Sequence, residues 1–244
     1  MLPIGDENTC KRGSAPLTWT LIALNVGVFV FFQRFGSDLE RTLALAVLPS
    51  ELAQGRGYLR VLTSQFAHSG LAHLAGNMLF LGIFGDNVEC RIGKLRYLVL
   101  YLASGTLGIL AHIVAALASG GAAASVPLVG ASAAISGILA SYLVLFPGNR
   151  VVVLLFNFIP TALSAWLVIG FWFLFQILGG LRGQGGSGVA YLAHIGGFLA
   201  SWIWSRAYRK REILRIEKER RERESRGEAG GIRWWIVEDD EGQD

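Results

Sequence analysis

The chain has 244 residues, of which 52% are hydrophobic and only 16% charged, with a formal net charge of +4. Soluble domains carry about 25% charged residues, so this composition argues against a soluble enzyme or a nucleic-acid-binding module. It points to a protein that meets lipid, and a mean hydropathy of +0.46 fits one apolar unit with polar ends.

Taken in chain order, a short tail (residues 1–16) carrying Cys10, Lys11 and Arg12 precedes the first apolar run, Thr18 to Gln33. Further runs follow at about Leu71 to Phe84, Tyr97 to Ala118, Ala131 to Phe146, Leu163 to Leu181 and Val189 to Trp204. A hydrocarbon core of about 30 Å takes about 20 mostly apolar residues per helix. Lipid offers no partner to an unpaired backbone group, so the runs are expected to be helices. The predicted fold is an all-α, polytopic bundle of six spans over residues 17–207, followed by a charged tail, 208–244.

Orientation follows from Lys and Arg, which favour the cytoplasmic side. They crowd the tail from Arg206 to Arg226, the loop holding Arg91, Lys94 and Arg96, and the amino tail. Both termini are therefore expected in the cytoplasm, and the compact form suggests a bacterial inner membrane. Cys10 and Cys90 would then lie on the reducing side, where a disulfide is not expected. The apolar run near the amino end lacks a small-residue cleavage site after it, which favours a retained span over a signal peptide. The mixed charges of EKERRERESR suit a solvated helix with i,i+4 pairs, able to touch anionic lipid rather than nucleic acid. The segment GEAGGIRWWIVEDDEGQD carries no readable chemistry.

Polar side chains inside spans are costly and are functional candidates. HSGLAHLAGN places His68 just before the second span, with His73 and Asn77 one turn apart on a shared face. GASAAISG opens the fourth span with Ser132 at a glycine-marked helix start, and AHIGG carries His194 into the sixth. In the expected topology these three spans run outside to inside, so His73, Ser132 and His194 sit at similar depth, within about 10 Å of the outer boundary at 1.5 Å per residue.

Small residues four apart let membrane helices approach closely. Ser132, Ser136 and Ala140 form such a stripe in the fourth run, and Ala193, Gly197 and Ser201 in the sixth. If these stripes face one another, Ser132 meets His194. A serine and a histidine in hydrogen-bond reach supply nucleophile and general base. Asp86 and Glu89 lie toward the other end of the second span, so no acid is placed to orient the histidine, and a dyad is expected. The Ser132 amide, the Asn77 side chain and His73 are the candidate donors for an oxyanion.

Over about Leu17 to Ala207, the segments HSGLAHLAGNMLFLGIFGDNVE, GASAAISG and AHIGG, in that order, resemble the rhomboid family of intramembrane proteases. The resemblance implies Ser132 as nucleophile, His194 as base, His73 and Asn77 in the oxyanion hole and His68 lining the same cavity. It implies neither metal nor cofactor, and substrates that are single transmembrane helices of other membrane proteins, cut near the outer face. Arg60 in LRVLTSQF resembles the arginine of the family's first-loop motif, with Leu59 where a tryptophan is often found. Ala133 replaces the second glycine of GxSG, and Ser136 stands where some members have an aromatic residue packed on the histidine.

Other readings are weaker. His68 and His73 are not the i,i+4 pair of a zinc helix, and no cysteine is near. A channel or transporter should show broken helices and paired intramembrane charges. A catalytically inactive, rhomboid-like protein that binds transmembrane helices is the remaining alternative, and it gains weight only if Ala133 disables the serine.

Overall fold

A computed structural model describes residues 2–7, 15–155, 158–181 and 190–225. Cys10, Lys11, Arg12, Arg182 and the terminal segment 226–244, on which parts of the orientation and tail readings rest, lie outside the described residues.

Helix α1 (Pro16–Gly27) starts on a proline, whose missing N–H costs nothing at that position, and runs into a π-helical turn, Val28–Phe32. Three short helices, α2 (Leu39–Leu45), α3 (Pro49–Ala53) and α4 (Arg60–Thr63), occupy the long first loop. The long elements follow: α5 (Leu71–Ile92), α6 (Lys94–Ser119), α7 (Ser132–Leu145), α8 (Ala165–Leu181) and α9 (Tyr191–Ser225). Gly93, with φ +83°, breaks α5 from α6, and Gly120, with φ +68°, ends α6; both conformations suit a residue without Cβ.

Among the described residues, α6 is the one helix long and apolar enough by itself to cross a bilayer, while Pro16–Phe32, α7 and α8 are shorter apolar helices. The apolar run expected to end near Trp204 continues as helix to Ser225, because its charged continuation has helix-forming residues and i,i+4 pairs such as Lys218 with Glu222.

Helix α7 is the centre of the molecule. Every residue from Ala133 to Val144 is buried, and α9, α6 and α5 enclose it. The contact is close because the neighbours lack side chains where they meet. A Cβ on Gly108 of α6 would strike the Ala193 carbonyl of α9, one on Gly197 of α9 the Ala133 carbonyl of α7, and one on Gly137 of α7 the Ser104 side chain of α6. Lower down, Ser205 of α9 donates to Ser141 of α7 at 2.9 Å. The stripe of α7 that meets α9 is thus Ala133, Gly137 and Ser141, one residue on from the stripe expected. Ser136 instead donates back to the Ser132 carbonyl at 2.7 Å.

The chain is mostly helical, as expected of an all-α membrane protein, and one small sheet stands beside the helices. Strands β1 (Leu2–Asp6), β2 (Arg150–Leu155) and β3 (Ile159–Ser164) form an antiparallel sheet in that order, so Leu2–Asp6 is paired to the chain after α7. The run RVVVLL has the β-branched character of a strand, and its backbone is satisfied on both sides. Asp6 ties the sheet to the helices, accepting from Tyr142 of α7 at 2.6 Å and Asn87 of α5 at 2.7 Å. Cys90 is disulfide-bonded, which departs from the expectation of reduced thiols.

Glu89 of α5, fully buried, accepts from the backbone N–H groups of Leu17 and Thr18 at 3.0 and 2.7 Å and bonds the Thr18 hydroxyl at 2.9 Å. It thereby satisfies amides that the first turn of α1 cannot pair internally. That carboxylate is a helix cap, spent far from any catalytic role.

Candidate active site

Ser132 is the first residue of α7, placed there by the turn at Gly130, whose φ of +127° is a conformation that L side chains rarely adopt. The Gly130 amide donates to the Ser64 carbonyl at 2.8 Å, and Val47 bridges to Leu128, so the first loop holds this turn. From the opposite side, Ala190 accepts from His194 and Ala193, starting α9. The result is a 2.7 Å hydrogen bond between Ser132 Oγ and His194 Nε2, with His194 only 9% exposed.

The other ring nitrogen of His194, Nδ1, lies 2.8 Å from Oε1 of Gln176 on α8. One turn earlier on the same helix, the Trp172 ring sits 6.0 Å from the imidazole, centroid to centroid, at 33°. These two contacts were missed in the sequence, although Gln176 stands out as an amide within the run AWLVIGFWFLFQILGGL. Trp172 stands beside the imidazole in the absence of an aromatic ring at position 136.

His73 lies over the turn. A Cβ on Gly130 would stand 2.8 Å from His73 Cε1 and 2.9 Å from Nε2, and 3.7 Å from Ser132 Oγ. Ser69 bonds the far nitrogen: its hydroxyl is 2.9 Å from His73 Nδ1 and its amide donates to the same atom at 3.4 Å. Since Nδ1 accepts from an amide, Nε2 carries the proton and is a donor facing the turn. Asn77, one turn along α5, is buried, and its Nδ2 has no hydrogen-bond partner among the described residues. A buried donor left unpaired costs about 1–3 kcal/mol and calls for an explanation.

His68 is fully buried, its ring edge-on to His73 at 5.1 Å and both ring nitrogens without partners among the described residues. Its backbone is clasped by Gln33, which donates to its carbonyl at 2.8 Å and accepts from its amide at 3.0 Å. Arg60 pairs with Glu51 at 2.6 Å within the first loop. The methyl of Ala133 is turned toward α6, where a Cβ on Gly108 would stand 3.1 Å from it. The absence of a side chain at Gly108 leaves room for the methyl that the GxSG pattern lacks.

A family profile described as the Rhomboid domain matches residues 55–211. The chain belongs to the rhomboid family. It is 30% identical over 196 residues to "Rhomboid protease GluP" of Bacillus subtilis (strain 168), covering 79% of this chain and 35% of that protein. It is 28% identical over 214 residues to "Rhomboid protein 1, mitochondrial" of Saccharomyces cerevisiae, covering 82% and 57% respectively. A third similarity, 32% over 97 residues, is to "Rhomboid protease AarA" of Providencia stuartii, covering 38% of this chain and 34% of that protein. The chain thus spans between a third and somewhat over half of these relatives. The rhomboid family is membrane-associated and includes serine intramembrane proteases.

Proposed function

We propose that this rhomboid is an intramembrane serine endopeptidase of six spans that cuts transmembrane helices of other membrane proteins near the outer face. The observation that carries the reading is the 2.7 Å contact between Ser132 Oγ and His194 Nε2. In the proposed mechanism, Ser132 Oγ attacks the scissile carbonyl carbon while His194 Nε2 takes the hydroxyl proton. The carbonyl π electrons move to oxygen, giving a tetrahedral oxyanion. Three donors suit it: the Ser132 amide, an orphan at the helix start, the Asn77 Nδ2 and the His73 Nε2. Collapse breaks the C–N bond, and the imidazolium passes its proton to the departing amine. Water, deprotonated by the same histidine, then cleaves the acyl–Ser132 ester.

The depth of the serine is consistent with the length of its helix. The 14 residues of α7 cover about 21 Å at 1.5 Å per residue, short of a hydrocarbon core of about 30 Å. With the carboxyl end of α7 at the cytoplasmic face, Ser132 lies about 10 Å below the outer one, within reach of water from that side.

Fluorophosphonate labelling of the purified protein tests the reading. Labelling of wild type that is lost in both Ser132→Ala and His194→Ala supports it. A folded wild type that does not label would instead favour an inactive helix-binding rhomboid.

A further inference from the structure

We propose that Gln176 is a positioning residue that turns the Ser132–His194 pair into a three-membered relay. The inference rests on the reading of Ser132 as nucleophile and His194 as base. For His194 to accept a proton from Ser132, Nε2 must present a lone pair, so Nδ1 must carry the hydrogen. Free imidazole favours the opposite tautomer, and the partner of the second nitrogen decides which form a protein holds. Here that partner is Oε1 of Gln176 at 2.8 Å, an acceptor only.

The amide cannot turn over to become a donor. Its Nε2 donates to the Trp172 carbonyl one turn earlier on α8, at 3.3 Å, and a flipped amide would set two oxygens against each other there. Gln176 and His194 are each only 9% exposed, so bulk water does not compete for either bond. The direction of every hydrogen bond from α8 to the nucleophile is therefore fixed: the Trp172 carbonyl orients Gln176, Gln176 orients His194, and His194 faces Ser132.

The choice of an amide also has a physical reason. A carboxylate in this position would be a buried charge with no cation beside it among the described residues, an arrangement that is expensive in an apolar interior. An amide sets the tautomer and ring angle without that cost, and gives up the extra stabilisation a carboxylate would lend the imidazolium. A serine–histidine pair can thus be oriented as in a triad with no third ionisable group.

The test uses the full chain in detergent, with Gln176→Leu, which keeps the bulk but removes the acceptor, and Gln176→Glu, which keeps the acceptor while its carboxyl is ionised. Two readouts are taken: the rate of fluorophosphonate labelling, and the ¹⁵N signature of the His194 tautomer, assigned against His194→Ala. Gln176→Leu is expected to slow labelling by roughly 10- to 100-fold, less than the ~10⁴ lost when a soluble triad holds the wrong tautomer. Its His194 signals should move away from the Nδ1–H form. Gln176→Glu should label to within several-fold of wild type at high pH, where its carboxylate accepts from Nδ1, and fall below wild type as the pH drops and the buried carboxyl takes up a proton. Labelling of Gln176→Leu at the wild-type rate, or an unchanged His194 tautomer, would overturn the proposal. So would equal losses in both variants at every pH, the mark of a purely structural role. The nitrogen spectra decide the role of Gln176 even in a wild type that does not label, so the two readings fail separately.

Discussion

Gly130 and His73 are in such close contact that a methyl group on the glycine would stand 2.8 Å from the imidazole. The φ of +127° at Gly130 adds a backbone reason to the steric one. Gly130→Ala must therefore displace His73, open the turn before Ser132, or both. We expect labelling of Ser132 to fall at least 10-fold, with a loss of stability of about 1–3 kcal/mol as for other overpacked sites. Comparing labelling with thermal unfolding of the variant checks both parts, and full activity would show that the turn tolerates another geometry.

Asn77 is predicted to act on the transition state. Removing one oxyanion donor costs a soluble protease about 10²–10³ in turnover, and an interaction made only in the transition state leaves substrate binding untouched. Asn77→Ala should lower kcat for a transmembrane substrate by roughly 10²-fold with KM nearly constant. Because the Nδ2 has no partner among the described residues, the substitution removes no hydrogen bond seen there and should cost the fold little. A rise in KM at constant kcat would reassign Asn77 to substrate contact.

Ala133 and Gly108 form a matched pair. Restoring the family glycine with Ala133→Gly should change labelling by no more than a few-fold, since the methyl faces α6 and not the dyad. Gly108→Ala should be severe, because the new Cβ would collide with the Ala193 carbonyl one residue before His194. The expected loss is about 1–3 kcal/mol, read as a lower unfolding temperature together with lost labelling. Equal tolerance of both substitutions would mean that α6 and α9 can separate freely.

Asp6 makes the β1 attachment pH-dependent. Burial is the main cause that pushes its carboxyl up from 3.8 to about 6, with Asp86 and Glu7 adding repulsion, against the hydrogen bonds from Tyr142 and Asn87. A carboxyl whose pKa is raised binds more protons in the attached state than in the free one. Attachment is therefore strongest below about 3.8 and weakens as pH rises through about 6. Hydrogen exchange of the β1 amides, corrected for intrinsic rate, should show more protection at pH 5 than at pH 7.5. Asp6→Asn should abolish that difference. A pH-independent wild type would place the carboxyl proton elsewhere.

The positions of the long helices were readable because each is a run of apolar residues bounded by glycine or charge, and such runs have few alternatives. Ser132, His194, His73 and Asn77 stood out by being polar inside those runs. Gln176 has the same property but was overlooked, because no nearby motif drew attention to α8. The sheet was hidden for a different reason. Its first strand pairs with β2 across most of the chain, Leu2 opposite Leu154 and Asp6 opposite Val151, and only β2 has a β-branched signature. The stripe on α7 was misplaced by one residue because small residues occupy 131 to 134 without a break, so spacing alone leaves the rotation of the helix undetermined.

The 35 residues of α9 form a single helix that begins three residues before His194 and ends at Ser225, a length of about 50 Å at 1.5 Å per residue. His194 therefore sits near one tip of a long rod whose other tip lies well away from Ser132. Each residue contributes about 100° to the winding of such a rod. The rotation of this one helix therefore fixes where the imidazole points, and no break in it separates the basic end from the residue that meets Ser132.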